Sequence, residues 1–221
     1  ITSRKAPFQK IETNYPTVGD NNLLIVLVSF ADRAFTYTRE DFDSLTSQPG
    51  YNRNGATGSV KDYYYDVSFG SLNLNPTVVG PYTLSQPMAY YGATGPSFSD
   101  VNPKEMVSEA CALADNDVDF SQFDMNNDGI VDAVHVIFAG AGEASTGESD
   151  AIWPHRWSIY SYDSLDIDFD GVRLKDYSCS AEKMGSGMDG IGTICHEFGH
   201  VLGLPDLYDT DYEGSGGQAT A

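Results

Sequence analysis

The sequence predicts an α/β (α+β) domain: a twisted mixed sheet, one backing helix and a second helix bearing a histidine pair. Three observations lead there. Asn22 to Phe30 and Val131 to Phe138 are near-continuous apolar runs rich in Val, Ile and Leu, the pattern of buried strands. Pro103 to Ala114 opens with proline at a helix start and repeats Met106, Val107, Ala110, Leu113 and Ala114 at helical spacing. Asp189 to Gly203 repeats that spacing, with Ile191, Ile194, Phe198, Val201 and Leu202 forming one apolar stripe.

The remaining elements fit between these. Lys61 to Tyr65 closes a short helix, and Leu72 to Val79 is extended. Leu165, Ile167 and Phe169 alternate with Asp166, Asp168 and Asp170, so the aspartates read as a solvated strand face. Asp170-Gly171 then turns into Val172 to Ser180, a hairpin signal. A chain of 221 residues with no internal repeat or low-complexity linker is expected to be a single domain, residues 1–221.

Composition removes several functions. The formal net charge is -20, from 32 acidic and 12 basic residues, and a phosphate backbone would repel that field. No apolar run approaches the ~20 residues of a membrane-spanning helix. No secretory leader opens the chain at Ile1, so a precursor segment has been removed or is not included. No G-x-S-x-G elbow supports serine chemistry.

The chemistry is concentrated in His196-Glu197-Phe198-Gly199-His200-Val201-Leu202-Gly203-Leu204-Pro205-Asp206, which reads H-E-x-x-H-x-x-G-x-x-D. A helix turns about 100° per residue, so His196 and His200 share a face one turn apart, opposite the apolar stripe. Glu197 projects to the side of the pair, within reach of a metal-bound water. Gly203 lets the chain leave the helix, Pro205 discourages its continuation, and Asp206 can swing back as a third ligand. Two imidazoles and a carboxylate leave a fourth tetrahedral position for water, the arrangement of a catalytic zinc with Glu197 as general base. The pattern implies peptide hydrolysis. Gly192 and Gly199, inside the periodic stretch, suggest that a neighbouring strand or the cleft floor approaches closely.

His196 to Asp209, HEFGHVLGLPDLYD, resembles the active-site segment of the immune-inhibitor-A-like family of secreted bacterial metallopeptidases. Ser59 to Leu74, Phe123 to Gly140, Ile152 to Trp157 and the strand Leu23 to Asp32 extend the resemblance over most of the chain, in the family's order. The resemblance implies a zincin/metzincin-like catalytic domain, zinc on His196, His200 and Asp206, and Glu197 as base. It also implies secretion from a bacterium as a precursor, and cleavage of proteins or peptides bound in extended form. In such folds the strand before the active-site helix is usually an antiparallel edge that pairs with substrate, here Leu174 to Ser180. One departure stands out. Metallopeptidases with this motif usually continue into a turn carrying a methionine and a C-terminal subdomain, but the last methionine here is Met188 and the chain stops at Ala221. Glu213 to Ala221 is small and flexible, so the chain is expected to be a fragment truncated at its C-terminal end.

Asp124-Met125-Asn126-Asn127-Asp128-Gly129-Ile130-Val131-Asp132 places oxygen side chains at positions 1, 3, 5 and 9 and glycine at 6. Ile130 stands at position 7, where an EF-hand loop supplies a backbone carbonyl. The spacing predicts a structural calcium site on Asp124, Asn126, Asp128, Ile130 and Asp132, although position 12 is His135 rather than Glu; an acidic turn held by its own Asx bonds is the alternative. His155, in Trp-Pro-His-Arg-Trp, reads either as a cleft residue or as a buried, hydrogen-bonded histidine. Cys111, Cys179 and Cys195 are an odd set that reads as buried thiols, with a Cys179–Cys195 bridge as the alternative. Two functional rivals remain: an inactive or binding-only domain with structural metals, and a zinc hydrolase of small amides. A binding-only domain has no chemical reason to keep Glu197 beside three ligands.

Overall fold

The apolar runs lie side by side at the centre of one sheet. In the computed structural model, residues 13–95, 99–160, 163–165 and 167–206 are described. The chain forms β1 (Gly19–Ser29), α1 (Arg39–Ser47), α2 (Val60–Val67), β2 (Leu72–Thr83) and the short α3 (Met88–Gly92). It continues through α4 (Pro103–Ala114), β3 (Ile130–Val131), β4 (Val134–Ala141), α5 (Glu143–Thr146) and β5 (His155–Ser158). Then follow β6 (Asp168–Phe169), β7 (Val172–Leu174), β8 (Asp176–Met184), β9 (Gly187–Met188) and α6 (Ile191–Val201).

The main sheet has the order β2-β1-β4-β8-β5, and β9 folds back onto the end of β8. Neighbours among β2, β1, β4 and β8 are parallel, and β5 pairs antiparallel with β8. A small second sheet has the order β3-β7-β6. The run from Val131 to Phe138 is therefore divided between two sheets. Its break is Asp132, whose Oδ2 accepts the Met125 N–H at 2.8 Å and turns the chain between β3 and β4. The arm Val172 to Ser180 divides in the same way into β7 and β8.

Alternation along β1 assigns its side chains to two cores. Leu24, Val26 and Val28 join Met106, Val107, Ala110 and Cys111 of α4 on one face. Leu23, Ile25 and Leu27 join Phe42, Leu45, Val60, Tyr64, Ile194, Phe198 and Val201 of α1, α2 and α6 on the other. The helix around Lys61 to Tyr65 is longer than expected because Ser59 and Asp62 form a capping box at its start. The same device starts α1, with Thr38 and Asp41.

The predicted substrate edge is corrected by the pairing. Leu174 to Ser180 does not lie at an edge, because β8 is flanked by β4 and β5. The antiparallel edge is β5, in which His155 stands opposite Cys179 and Ser158 opposite Asp176. A four-residue strand with two large aromatics nearby carries no period-2 signal, which is why sequence reading passed over it. The glycine expectation is also corrected. A Cβ at Gly192 would meet nothing within 4 Å, and one at Gly199 would make only ordinary contacts with Leu204 and Tyr64. Of the aspartate row, Asp166 lies outside the described residues; Asp168 is exposed and paired with Arg173, and Asp170 accepts the Phe120 N–H. Glu213 to Ala221 also lies outside the described residues.

Beneath α6 the sheet carries a buried polar seam. Tyr177, Cys179 and Ala181 of β8 point into the core shared with α4, so Asp176, Ser178, Ser180 and Glu182 point to the α6 side, and all four are buried. His135 of β4 lies beside Ser178 in register; its Nδ1 is 2.7 Å from Ser178 Oγ and its Nε2 2.9 Å from Ser180 Oγ. A neutral imidazole has one donor and one acceptor, and the two hydroxyls can satisfy both. Glu182 Oε1 accepts the Thr36 and Tyr37 N–H groups, and its Oε2 accepts the Gly140 N–H.

Burial pushes the His135 pKa down to about 3. In the unfolded chain the same ring protonates near ~6.5, so between those values the unfolded state binds the extra proton. Stability from this group is therefore complete above pH ~6.5 and falls progressively as pH drops towards 3, by several kcal/mol in order of magnitude. Replacing His135 by Gln should lower stability at pH 7 but flatten its decline between pH 6.5 and 4; parallel urea melts at several pH values check this.

Candidate metal centre and active site

α6 holds its outward face by anchoring its inward one. Phe198 is fully buried and meets two rings edge-on, Tyr15 at 4.9 Å and Tyr64 at 5.4 Å between centroids. The Tyr64 hydroxyl donates to the Cys195 carbonyl at 2.6 Å, and Thr13 Oγ1 donates to the Val201 carbonyl. With Ile194 and Val201 also buried, rotation about the helix axis is fixed, and His196 and His200 are left half-exposed on the far side. Glu197 is buried, on the flank of the histidine pair.

The helix ends in a two-bond Schellman turn. Gly203 adopts φ 86°, its N–H donates to the His200 carbonyl at 3.1 Å, and the Leu204 N–H donates to the Gly199 carbonyl at 3.0 Å. This reversal brings Asp206 back over the histidines. Asp206 Oδ1 lies 3.2 Å from His196 Nε2 and 3.2 Å from His200 Nε2, and the two Nε2 atoms are 3.2 Å apart. The three atoms thus form a near-equilateral triangle.

That triangle can be tested against a metal. A tetrahedral zinc with bonds of about 2.0–2.1 Å separates its ligand atoms by about 3.4 Å, close to every edge observed. Asp206 Oδ1 is buried and makes no hydrogen bond among the described residues, despite its closeness to both rings. His200 Nδ1–H donates to the Leu204 carbonyl at 2.8 Å, which leaves Nε2 as the lone-pair atom turned to Asp206. Burial and the neighbouring His200 lower the His196 pKa, against the pull of Asp206, so the ring favours the neutral form that metals require. The residues fit a metal. Among the described residues, this is the one group of three His, Cys, Asp or Glu side chains whose ligand atoms converge within 4.8 Å.

Burial, with a contribution from Asp206, pushes Glu197 up to about 8. Such a carboxyl group both takes and returns a proton readily near neutrality. The site-residue expectations for His196, Glu197, His200 and Asp206 thus meet in one place.

The loop from Asp124 to Asp132 is arranged differently. Asp124 accepts the Asp128 and Gly129 N–H groups, Asn126 Oδ1 accepts the Asp128 N–H, and Asp128 Oδ1 accepts the Ile130 N–H. These are the Asx bonds of a self-held turn. Asp132 is buried, and its Oδ1 has no hydrogen-bond partner among the described residues. Its pKa is pushed up to about 6 by burial and by Asp124 and Asp128.

His155 lies on the sheet face away from α6. Its Nδ1 is 2.7 Å from the Trp153 carbonyl and 3.4 Å from Cys179 Sγ, and its Nε2 is 2.9 Å from the Tyr177 hydroxyl. The hydrogen-bonded structural reading describes it. Asp100, 3.9 Å away, is pushed up to about 7 chiefly by burial and accepts the Trp153 N–H. Cys111, Cys179 and Cys195 are all free and buried, and the bridge between the last two is overturned. Cys179 faces the α4 core and Cys195 the opposite one. The supporting residues Thr13, Tyr15 and Tyr64 were missed in the sequence, where nothing marks an aromatic as the neighbour of a distant helix.

The site thus joins two imidazoles of one helix, a returning aspartate and a buried glutamate beside a sheet with an antiparallel edge. The sequence model of the immune inhibitor A peptidase M6 catalytic domain matches residues 16–221, and the chain belongs to that family. It is 33% identical over 201 residues to the pre-pro-metalloprotease PrtV of Vibrio cholerae serotype O1, covering 79% of this chain and 22% of that protein. It is 33% identical over 242 residues to immune inhibitor A of Bacillus thuringiensis subsp. alesti, covering 90% of this chain and 35% of that protein. The chain therefore spans about a fifth to a third of the length of these relatives.

Gly203→Ala should test how far the turn controls the site. A Cβ at φ 86° costs about 1 kcal/mol and loosens the reversal that carries Asp206. Expected are a melting temperature lowered by a few degrees and a metal affinity reduced at least tenfold in a chelator competition. An unchanged affinity would mean that Asp206 reaches its position without the turn.

Proposed function

We propose that this chain is the catalytic domain of a zinc-dependent endopeptidase, secreted by a bacterium and made as a precursor. The observation that carries the reading is the 3.2 Å triangle of His196, His200 and Asp206 with Glu197 buried beside it. Secretion and precursor synthesis are supported by the family and by the name of the Vibrio relative, a pre-pro-metalloprotease. The strand order, three parallel pairings and an antiparallel edge beside the active-site helix, supports a zincin/metzincin-like architecture.

The mechanism follows from the side chains. His196, His200 and Asp206 would hold a zinc ion, which when bound would supply Lewis-acid polarisation of the scissile carbonyl and make an attacking water more acidic. Glu197 accepts the proton of that water and returns it to the leaving amine. The Leu204 carbonyl keeps His200 in the tautomer that presents Nε2. β5 offers its outer backbone edge to an extended peptide, in which main-chain hydrogen bonds position the substrate whatever its side chains.

Glu197→Gln should retain zinc stoichiometry and lose at least ~1000-fold in cleavage of a quenched casein substrate, while chelator should abolish wild-type cleavage. Metal analysis by mass spectrometry paired with that assay decides the matter. Zinc without cleavage by the wild type would favour the binding-only domain, and absence of zinc would sink the reading.

The loop at Asp124, Asn126, Asp128, Ile130 and Asp132 enters as a structural calcium site. The spacing and the unpartnered, buried Asp132 Oδ1 favour it; the Asx bonds already holding the other oxygens weigh against it. Millimolar calcium should raise the melting temperature of the wild type and not of Asp132→Asn. Equal behaviour of the two proteins would leave a turn held by its own hydrogen bonds.

A further inference from the structure

The register of β5 decides which of its backbone atoms face outwards. The Ile159 N–H donates to the Lys175 carbonyl at 2.7 Å, continuing the ladder in which Trp157 stands opposite Tyr177 and His155 opposite Cys179. Bonded and unbonded positions alternate in an antiparallel pair, so His155, Trp157 and Ile159 turn their backbone groups towards β8. Arg156 and Ser158 turn theirs the other way. Among the described residues, the backbone N–H and C=O of both make no hydrogen bond. Two residues thus present free donors and acceptors to the place of a missing strand.

The side chains of β5 divide between the two sheet faces. Residues opposite one another share a face, so Arg156 and Ser158 lie with Ser178 and Asp176 on the α6 side, where Arg156 pairs with Asp176. His155 and Trp157 lie with Cys179 and Tyr177 on the other face. Tyr177, across the ladder from Trp157, is fully buried, yet Trp157 is 56% exposed. The indole is bounded by Tyr177 towards β8 and stands open where a further strand would lie. Natural edges are commonly guarded against pairing by charge or proline; here a large apolar ring flanks the free backbone instead. A peptide strand on this edge, in either direction, places one residue opposite Arg156 with its side chain on the α6 side. A residue next to it then falls opposite Trp157, on the other face.

We propose that Trp157 determines specificity at one position of the substrate: it takes a large apolar or aromatic side chain on the residue next to the one paired with Arg156. Cross-strand aromatic pairs are among the more favourable in antiparallel sheets, and the open indole face loses its water only when such a side chain covers it. The edge itself is blind to sequence, since it binds backbone; selection then comes from this single ring. β5 packs against α6, so the selected position lies close to the metal ligands along the peptide. The inference rests on the peptidase reading and on binding at β5.

The experiment scans quenched peptides in which one position at a time, on both sides of the scissile bond, carries Phe, Ala or Glu. For wild-type protein, one position should show KM about three- to tenfold lower with Phe than with Ala. Trp157→Ala should remove that preference and leave the two adjacent positions unaltered, because their side chains lie on the α6 side. Trp157→Phe should keep most of it, and Trp157→Lys should exchange it for a preference for Glu at the same position. A preference for Phe that survives Trp157→Ala, or a loss of cleavage equal for all peptides, overturns the subsite. The Lys variant keeps the test decisive if the Ala variant folds poorly, since a gained preference cannot come from damage. Sedimentation of the wild type covers the other occupant: a dimer abolished by Trp157→Ala would assign the edge to a second copy of the chain and overturn the proposal. If the wild type cleaves none of the peptides, the peptidase reading fails by itself. Fluorescence anisotropy of the same peptides on the uncleaving protein then decides the subsite: tighter binding of the Phe peptide at one position, lost in Trp157→Ala, supports it, and equal or absent binding overturns it.

Discussion

Everything at this site depends on how α6 is rotated. A helix carrying two imidazoles on one face is useful only if that face is held to within a few tens of degrees. Phe198 supplies the hold, buried between Tyr15 and Tyr64 with Ile194 and Val201 beside it. Edge-on aromatic pairs add about 0.5–1.5 kcal/mol each beyond burial, and loss of a buried Phe side chain costs roughly 3–5 kcal/mol. These are large terms against the ~5–15 kcal/mol of net stability a domain of this kind has. The ligand geometry is therefore an outcome of core packing on the opposite side of the helix.

The second constraint is polar. A parallel strand covered on both faces is expected to be apolar throughout, yet β8 turns Asp176, Ser178, Ser180 and Glu182 towards the α6 side and buries them. Each has a partner: Asp176 takes Arg156 and Ser158, the serines take His135, and Glu182 takes three backbone N–H groups. Hydrogen bonds are directional where apolar contacts are not, so the seam fixes how β4, β5 and the segment after β1 align with β8. Glu182 also accepts the Asp189 N–H through its carbonyl, just before α6 begins, so this alignment continues into the start of the helix.

What the sequence disclosed is what is local. His196, His200 and Glu197 could be placed because helical periodicity fixes their directions, and Asp206 because Gly203 and Pro205 constrain the chain between them. The buried strands β1 and β4 were visible as apolar runs. Whatever depended on partners distant in sequence was hidden. β5 is too short to show alternation, and its position at the edge follows from its pairing with β8, which made Leu174 to Ser180 look like an edge. One apolar run could not reveal that Asp132 divides it between two sheets. The calcium-like spacing could not show that backbone N–H groups had already claimed most of its oxygens.

The three cysteines give the molecule an internal reporter. Cys111 and Cys179 lie in the core on one side of the sheet and Cys195 in the core on the other, and burial raises all three thiol pKa values. Thiolates are scarce in the native state, and a modifying reagent can reach them only when a core opens. The rate at which each sulfur is labelled is then a local opening rate for one layer of the domain. Cys195, immediately before His196, would register fluctuations of α6 with no probe added to it.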